Sequence, residues 1–357
     1  MHIPDGYLSP ATCATLYGAS VPAWLTAGRR VRKVVRNRYV PLVAIGAAYS
    51  FLVMMFNVPI PDGTTAHAVG AVLIAVLLGP WAAVIAVSIA LLIQALFFGD
   101  GGVLSYGANC FNMAVVMPMV GYGAYRFLAR RVSLTSPRRP LAAGLGGFVG
   151  LNVAALCTAI EFGLQPTLFK AADGSPLYAP FHLGQTIPAM ALAHLTIAGG
   201  VEFVLTAGVI AYLQRANLPV MRINHAAVAE TDAEMEPARP LRWRWALIGL
   251  GTMVVLTPLG LVAPGTAFGE DAPNDLNLHK YGLGTVPTGL RHYAGFWHNA
   301  LFDGYTFGND KHPVAGYLVS AGLGSLMIGV AIVAIFAASR AIKARGSRRS
   351  ELVEVSP

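Results

Sequence analysis

The sequence predicts an all-α integral membrane protein of about nine transmembrane helices, and three observations predict it. Of its 357 residues, 55% are hydrophobic and only 12% are charged, where a soluble domain carries roughly 25% charged residues. Apolar runs recur at close to the ~20 residues that a helix needs to cross a hydrocarbon core of ~30 Å. The basic residues behind the net charge of +8 gather between those runs, at 29–38, 126–139, 215–244 and 340–349. Such clustering follows the positive-inside pattern and gives no reason to invoke nucleic acid.

The runs 9–28, 40–57, 107–128, 141–164, 183–213, 243–263 and 314–338 each read as one span. The stretch 66–98 is different, because one helix of that length would run about 50 Å at 1.5 Å per residue. Its Gly79-Pro80 pair is a helix breaker, which divides it into a short helix 66–78 and a full one 81–98. Charge supports the division. With 66–98 split, all four basic clusters fall on one side, with the amino terminus outside and the carboxyl terminus cytoplasmic. The mixed-charge, Pro-containing segment 214–241 reads as a cytoplasmic linker. It separates a seven-span module, 1–213, from a two-span module, 242–340, that encloses an outside loop, 264–313; a basic cytoplasmic tail, 341–357, follows. No positively charged leader precedes the first apolar run, so no cleavable signal is expected. The isolated Cys13, Cys110 and Cys157 have neither metal nor disulfide spacing.

Familiar catalytic signatures do not occur. There is no G-x-x-x-x-G-K-[ST], no H-E-x-x-H, no G-x-S-x-G and no cysteine pair at ligand spacing. What remains is a set of polar groups at membrane depth, where each is costly and functional by default. They are His67, one turn into the short helix 66–78; Asp100, followed by Asn109 and Asn112; and Glu161, His194 and Glu202. Bland roles stand beside functional ones. Asp100 among glycines suits a turn, and the asparagines suit helix–helix hydrogen bonds as well as ligand orientation. Glu161, His194 and Glu202 could equally be polar glue between helices.

The chain opens "MHIPDGYLSP", which places a histidine beside an amino terminus. The α-amine, the His2 backbone nitrogen and the His2 Nδ1 can close fused five- and six-membered chelate rings on one metal ion. A further imidazole completes a four-nitrogen set, and the topology brings His67 within reach of the tail. In-plane nitrogen ligation of that kind suits Ni(II) or Cu(II). Taken singly, His2 also fits a solvated tail residue and His67 a helix–helix hydrogen bond.

Four stretches together resemble one family: "MHIPDGYLSP", "DGTTAHAVGAVLIAVLLGPWAAV", "FGDGGVLSYGANCFNMAVV" and "PAMALAHLTIAGGVEFVLTAGVIAYL". Over residues 1 to about 213 the chain is similar to the CbiM/NikM family, the substrate-capturing membrane components of cobalt and nickel energy-coupling-factor transporters. The resemblance implies Ni2+ or Co2+ as transported substrate, no resident cofactor, and Met1, His2 and His67 as its ligands. Asp62, Asp100, Asn109, Asn112 and His194 are the candidates for support around them. It also implies partners: a CbiQ/NikQ-like transmembrane coupling subunit and a CbiO/NikO-like cytoplasmic ATPase, in a prokaryotic inner membrane. The stretch "PTGLRHYAGFWHNALFDGYTFGNDKHPVAGYLVSAGLGSLMIG" resembles the two-span CbiN/NikN-like accessory component, although a Pro-Asp-Gly-Leu-Glu signature frequent there is absent. The loop's His279, His292, His298 and His312 fit metal gathering or simple solvation. Two rival functions stay open at this stage, a self-sufficient metal channel or secondary transporter and an embedded metalloenzyme.

Overall fold

The computed structural model describes residues 1–34, 40–225, 243–263, 265–308 and 311–354, with side chains described outside 32–34, 243 and 342–354. Most of the predicted linker (226–241), residues 264 and 309–310 of the predicted loop, and residues 355–357 of the tail lie outside the described residues.

The protein is a helical membrane protein whose strands, among the described residues, amount to one pair of two-residue strands. Helices α1 (Pro10–Val34) and α2 (Val40–Met54) lead to strands β1 (Val58–Pro59) and β2 (Thr65–Ala66). Next come α3 (Ala71–Leu78) and α4 (Pro80–Phe98), joined by Gly79 at φ 91°. Pro80 sits at the first position of α4, where its missing N–H costs no hydrogen bond. The predicted division of 66–98 therefore falls at Gly79-Pro80.

The next helical stretch is built in three parts: α5 (Tyr106–Asn109), a π-helical turn (Cys110–Val116) and α6 (Met117–Leu128). Helix α7 (Arg138–Leu168) packs against α6, α8 (Leu183–Leu195) and α9 (Ile197–Ala216), and α10 (Leu218–Arg222) follows. The carboxyl-terminal part contributes α11 (Trp243–Leu256), which lies on α2, and the long α12 (Pro313–Glu354), which lies on α2 and α4. Among the described residues, five segments are long and apolar enough to cross a membrane: Pro80–Phe98, Arg138–Leu168, Leu183–Ala216, Arg244–Val262 and Pro313–Ala341.

One expectation is corrected. The short helix begins at Ala71 rather than at 66, so His67 lies on irregular, non-helical backbone and not one turn into a helix. The cause is a buried carboxylate. Glu202 accepts the Val69 and Gly70 N–H groups at 2.8 and 3.0 Å, while Ser50 donates to the Val69 carbonyl at 2.7 Å. Side chains thus meet the backbone demands that a helix would otherwise have to meet. The predicted span 183–213 is kept as one membrane-length segment, Leu183–Ala216, with a break in its helix at Thr196 (φ −105°, ψ −102°). The Thr196 hydroxyl there donates to the Leu192 carbonyl, a local bond that bends helices.

Helices α6 and α7 approach closely through small residues, as membrane helices do when packing rather than hydrophobic exclusion holds them. A Cβ on Gly146 would stand 2.6 Å from the Gly121 carbonyl oxygen. Gly146→Val should therefore destabilise the protein by about 1–3 kcal/mol through overpacking, read as a drop of the unfolding midpoint in detergent. An unchanged midpoint would mean that the crossing is looser than described.

Candidate metal centre

Nine residues of tail fold back into the helical bundle, and Met1 and His2 are each only 2% exposed. The tail is held by backbone satisfaction. Asn109 grips Ile3 at two points, accepting its N–H at 2.8 Å and donating to its carbonyl at 3.1 Å. That carbonyl also accepts the Gly102 N–H at 2.9 Å and the Ser105 hydroxyl at 2.5 Å. Farther along, Asp5 accepts the Val103 and Ser105 N–H groups, each at 3.0 Å. Burial pushes the Asp5 carboxyl above its ordinary range, against these hydrogen bonds, which pull it down. Tyr7 donates to the Asp271 carbonyl at 2.7 Å, and Ser9 N–H donates to the Gln165 side chain at 3.0 Å.

The glycines after Asp100 make room for this tail. A Cβ on Gly102 would lie 1.9 Å from the Asp5 carboxylate, and one on Gly101 would lie 3.4 Å from the His2 ring. "DGG" is therefore both a turn and a seat for the first residues.

At the bottom of the seat two imidazoles meet. His67 Nε2 lies 3.2 Å from His2 Nδ1, and the rings' centroids are 4.9 Å apart. The His67 Nδ1 is 3.0 Å from the Ala68 carbonyl. A carbonyl only accepts, so Nδ1 carries the hydrogen and Nε2 presents a lone pair toward His2. His2 Nδ1 also lies 3.2 Å from Asp100 Oδ1. The other oxygen of Asp100 accepts from Gln94 at 3.0 Å and from the Tyr305 hydroxyl at 2.5 Å. The Met1 amine is 2.9 Å from Glu270 Oε1. Ligand atoms of His2, His67 and Glu270 all lie within 4.8 Å of one another, the sole such group of three among the described residues.

The structure thus brings Met1, His2 and His67 together, with Asp100 and Asn109 touching the tail. His194 is buried on α8. Its Nδ1 is 2.8 Å from the Met190 carbonyl, while Nε2 has no hydrogen-bond partner. Asn112 does not reach the tail and instead donates to Glu161 at 2.8 Å and to Thr158 at 3.1 Å. Asp62 stays apart, accepting from Thr64 in an exposed turn. The loop histidines His279, His292, His298 and His312 are exposed and stand outside the cluster.

Glu270, Tyr305, Gln94 and Ser105 escaped the sequence reading. Glu270 and Tyr305 lie on a loop with no periodicity, more than 200 positions from what they touch. Gln94 sits in an apolar helix where an amide is easily taken for packing. Ser105 had a readable signal, since it follows the "GDGGVL" turn that the tail crosses.

The fold and cluster define a multi-helix membrane protein that buries metal-ligating groups at its amino terminus. The chain belongs to the CbiM family, described as the cobalt uptake substrate-specific transmembrane region, whose profile matches residues 2–219. It is 48% identical to the fused nickel transport protein NikMN of Rhodobacter capsulatus, over 97% of this chain and 99% of that one. A probable fused nickel transport protein, LarMN of Lactiplantibacillus plantarum, is 46% identical over 90% of this chain and 93% of its own. A solved structure described as a transition metal transporter superposes with a TM-score of 0.57 at 53% identity, covering 63% of this chain and 99% of that one. Both of these relatives are described as fused proteins, and the match to each runs through the carboxyl-terminal part of this chain.

Asn109→Ala should release the tail. It strips the buried Ile3 N–H and one bond of its carbonyl, each loss costing about 1–3 kcal/mol. Hydrogen–deuterium exchange at residues 2–9 should rise by an order of magnitude or more, and protection equal to wild type would refute the clamp.

Proposed function

We propose that the protein captures Ni2+ or Co2+ outside the cell membrane and passes it inward as the substrate-specific component of an ATP-driven energy-coupling-factor transporter. One observation carries the reading: the Met1 amine, His2 and His67 converge in a buried seat, with His67 Nε2 turned toward His2 Nδ1. The amine, the His2 backbone nitrogen, His2 Nδ1 and His67 Nε2 are the four ligands. Asp100 orients His2 and Asn109 positions the chelating backbone. Four nitrogens in one plane favour Ni2+, and the names of the two fused relatives support nickel.

In this proposal nine spans, seven in 1–213 and two in 242–340, set the amino terminus outside and the carboxyl terminus in the cytoplasm of a prokaryotic inner membrane. The sequence has no P-loop, so a CbiO/NikO-like ATPase hydrolyses ATP and a CbiQ/NikQ-like subunit couples it to this chain. The ion sheds its water at the tail. His194, buried on α8 with a free ring nitrogen, is the next donor on its way in.

Adding one residue ahead of Met1 should abolish stoichiometric nickel in the purified protein, because the amine then moves out of chelate range. His67→Ala should weaken binding at least a hundredfold by titration calorimetry. Normal metal content in the extended protein would refute the amine as a ligand. Affinity should also fall as the pH falls, because protons compete with the metal for the ligand nitrogens, the Met1 amine among them. A flat affinity from pH 5 to 8 would exclude this ligand set.

A further inference from the structure

Glu270 belongs to the loop between α11 and α12, yet its carboxylate is 2.9 Å from the Met1 amine and is itself only 20% exposed. It also lies within 4.8 Å of a ring nitrogen of His2 and of one of His67. Two ligands bound to one ion at about 2.0–2.2 Å are at most ~4.4 Å apart. Above four in-plane nitrogens a fifth ligand is cis to each of them, roughly 3 Å away, so the Glu270 side chain must close in by on the order of 1 Å or more for a single cation to touch all three.

The loop around Glu270 is fixed on both sides. Thr65 N–H donates to the Thr266 carbonyl at 3.1 Å, two residues from His67, and Thr65 bridges Ala267. On the other side Tyr7 donates to the Asp271 carbonyl at 2.7 Å. No large loop movement is needed to bring the carboxylate to the seat.

Charge gives the arrangement a purpose. In the empty seat the buried positive charge is the Met1 ammonium, and Glu270 pairs with it. A cation held by the amine takes that same lone pair, so the ammonium gives up one proton to solvent and its ion pair disappears. A carboxylate left unpaired there would be costly, and so would a dication whose ligands include only one deprotonated backbone nitrogen.

We propose that Glu270 exchanges partners: it holds the Met1 ammonium in the empty seat and becomes a carboxylate ligand of the divalent cation in the loaded one. Glu270 then offsets one positive charge in either state, beside the Asp100 carboxylate that stays with His2, and the carboxyl-terminal module contributes directly to the site. The proposal rests on Met1, His2 and His67 being the ligands, and extends that set.

The test uses the full-length protein in detergent, titrated with nickel sulfate, as wild type, Glu270→Gln and Glu270→Asp. Glu270→Gln should weaken binding at least tenfold and shift the visible absorption band of bound nickel. Glu270→Asp, which keeps the charge, should recover most of the affinity. In the metal-free protein, Glu270→Gln should also make the Met1 amine several-fold more reactive toward an acylating reagent, read by mass spectrometry of the amino-terminal peptide. Wild-type affinity together with wild-type amine reactivity in Glu270→Gln would overturn the proposal. Equal losses in both variants with an unshifted band would overturn it too, reducing Glu270 to a packing residue. Nickel binding that is indifferent to an added residue ahead of Met1 would instead remove the underlying ligand set.

Discussion

The grip of Asn109 on both backbone groups of Ile3 is the constraint from which the rest of the site follows. A chain terminus has no neighbour on one side to hold it, and ordinarily frays. Here the first residues are brought into the bundle by hydrogen bonds to their backbone, so the side chain and amine of the first two residues are left free for other work. Burial alone would not do this, because an extended tail pushed among helices would leave its N–H and C=O groups unsatisfied. The amide of Asn109, the Ser105 hydroxyl and the Gly102 N–H meet those demands, and Asp5 repays the favour to the turn that offers them.

The same economy of backbone groups explains His67. Its segment stays non-helical because Glu202, a carboxylate on α9, accepts two successive N–H groups that a helix would have used. Non-helical backbone at such depth is tolerated only where protein partners satisfy it. The imidazole is therefore carried on a short strap between β2 and α3, tied at one end to the loop by Thr65 and at the other to α9. Two distant helices and one loop decide where a single ring nitrogen points.

Much of this was legible in the sequence. Composition and basic clusters give the fold class; Gly79-Pro80 gives the break in 66–98; and His2 with His67 gives the ligand candidates by chelate chemistry. The start of α3 and the break at Thr196 were not legible, because both depend on side-chain hydrogen bonds formed across the bundle or against the local carbonyl rather than on apolar periodicity. Glu270 and Tyr305 were hidden for a related reason. Their loop is held by contacts with residues more than 200 positions away, and a pattern of spacing carries no trace of those. Asn112 illustrates the opposite error: three residues from Asn109, it invites the same role, yet it turns to Glu161.

The different fates of those two asparagines come from the π-helical turn between Cys110 and Val116. Such a turn holds one residue more than the α turn it replaces, and each residue of an α-helix advances about 100° around the axis. The helical stretch 106–128 thus contains a built-in phase slip. Its carboxyl-terminal part keeps Gly121 against α7, the face that packing requires, while the amino-terminal part is rotated so that Asn109 looks at the tail. A single inserted position lets one helix obey two neighbours with incompatible registers. Removing it would restore a regular helix and leave either α7 or the tail without its partner.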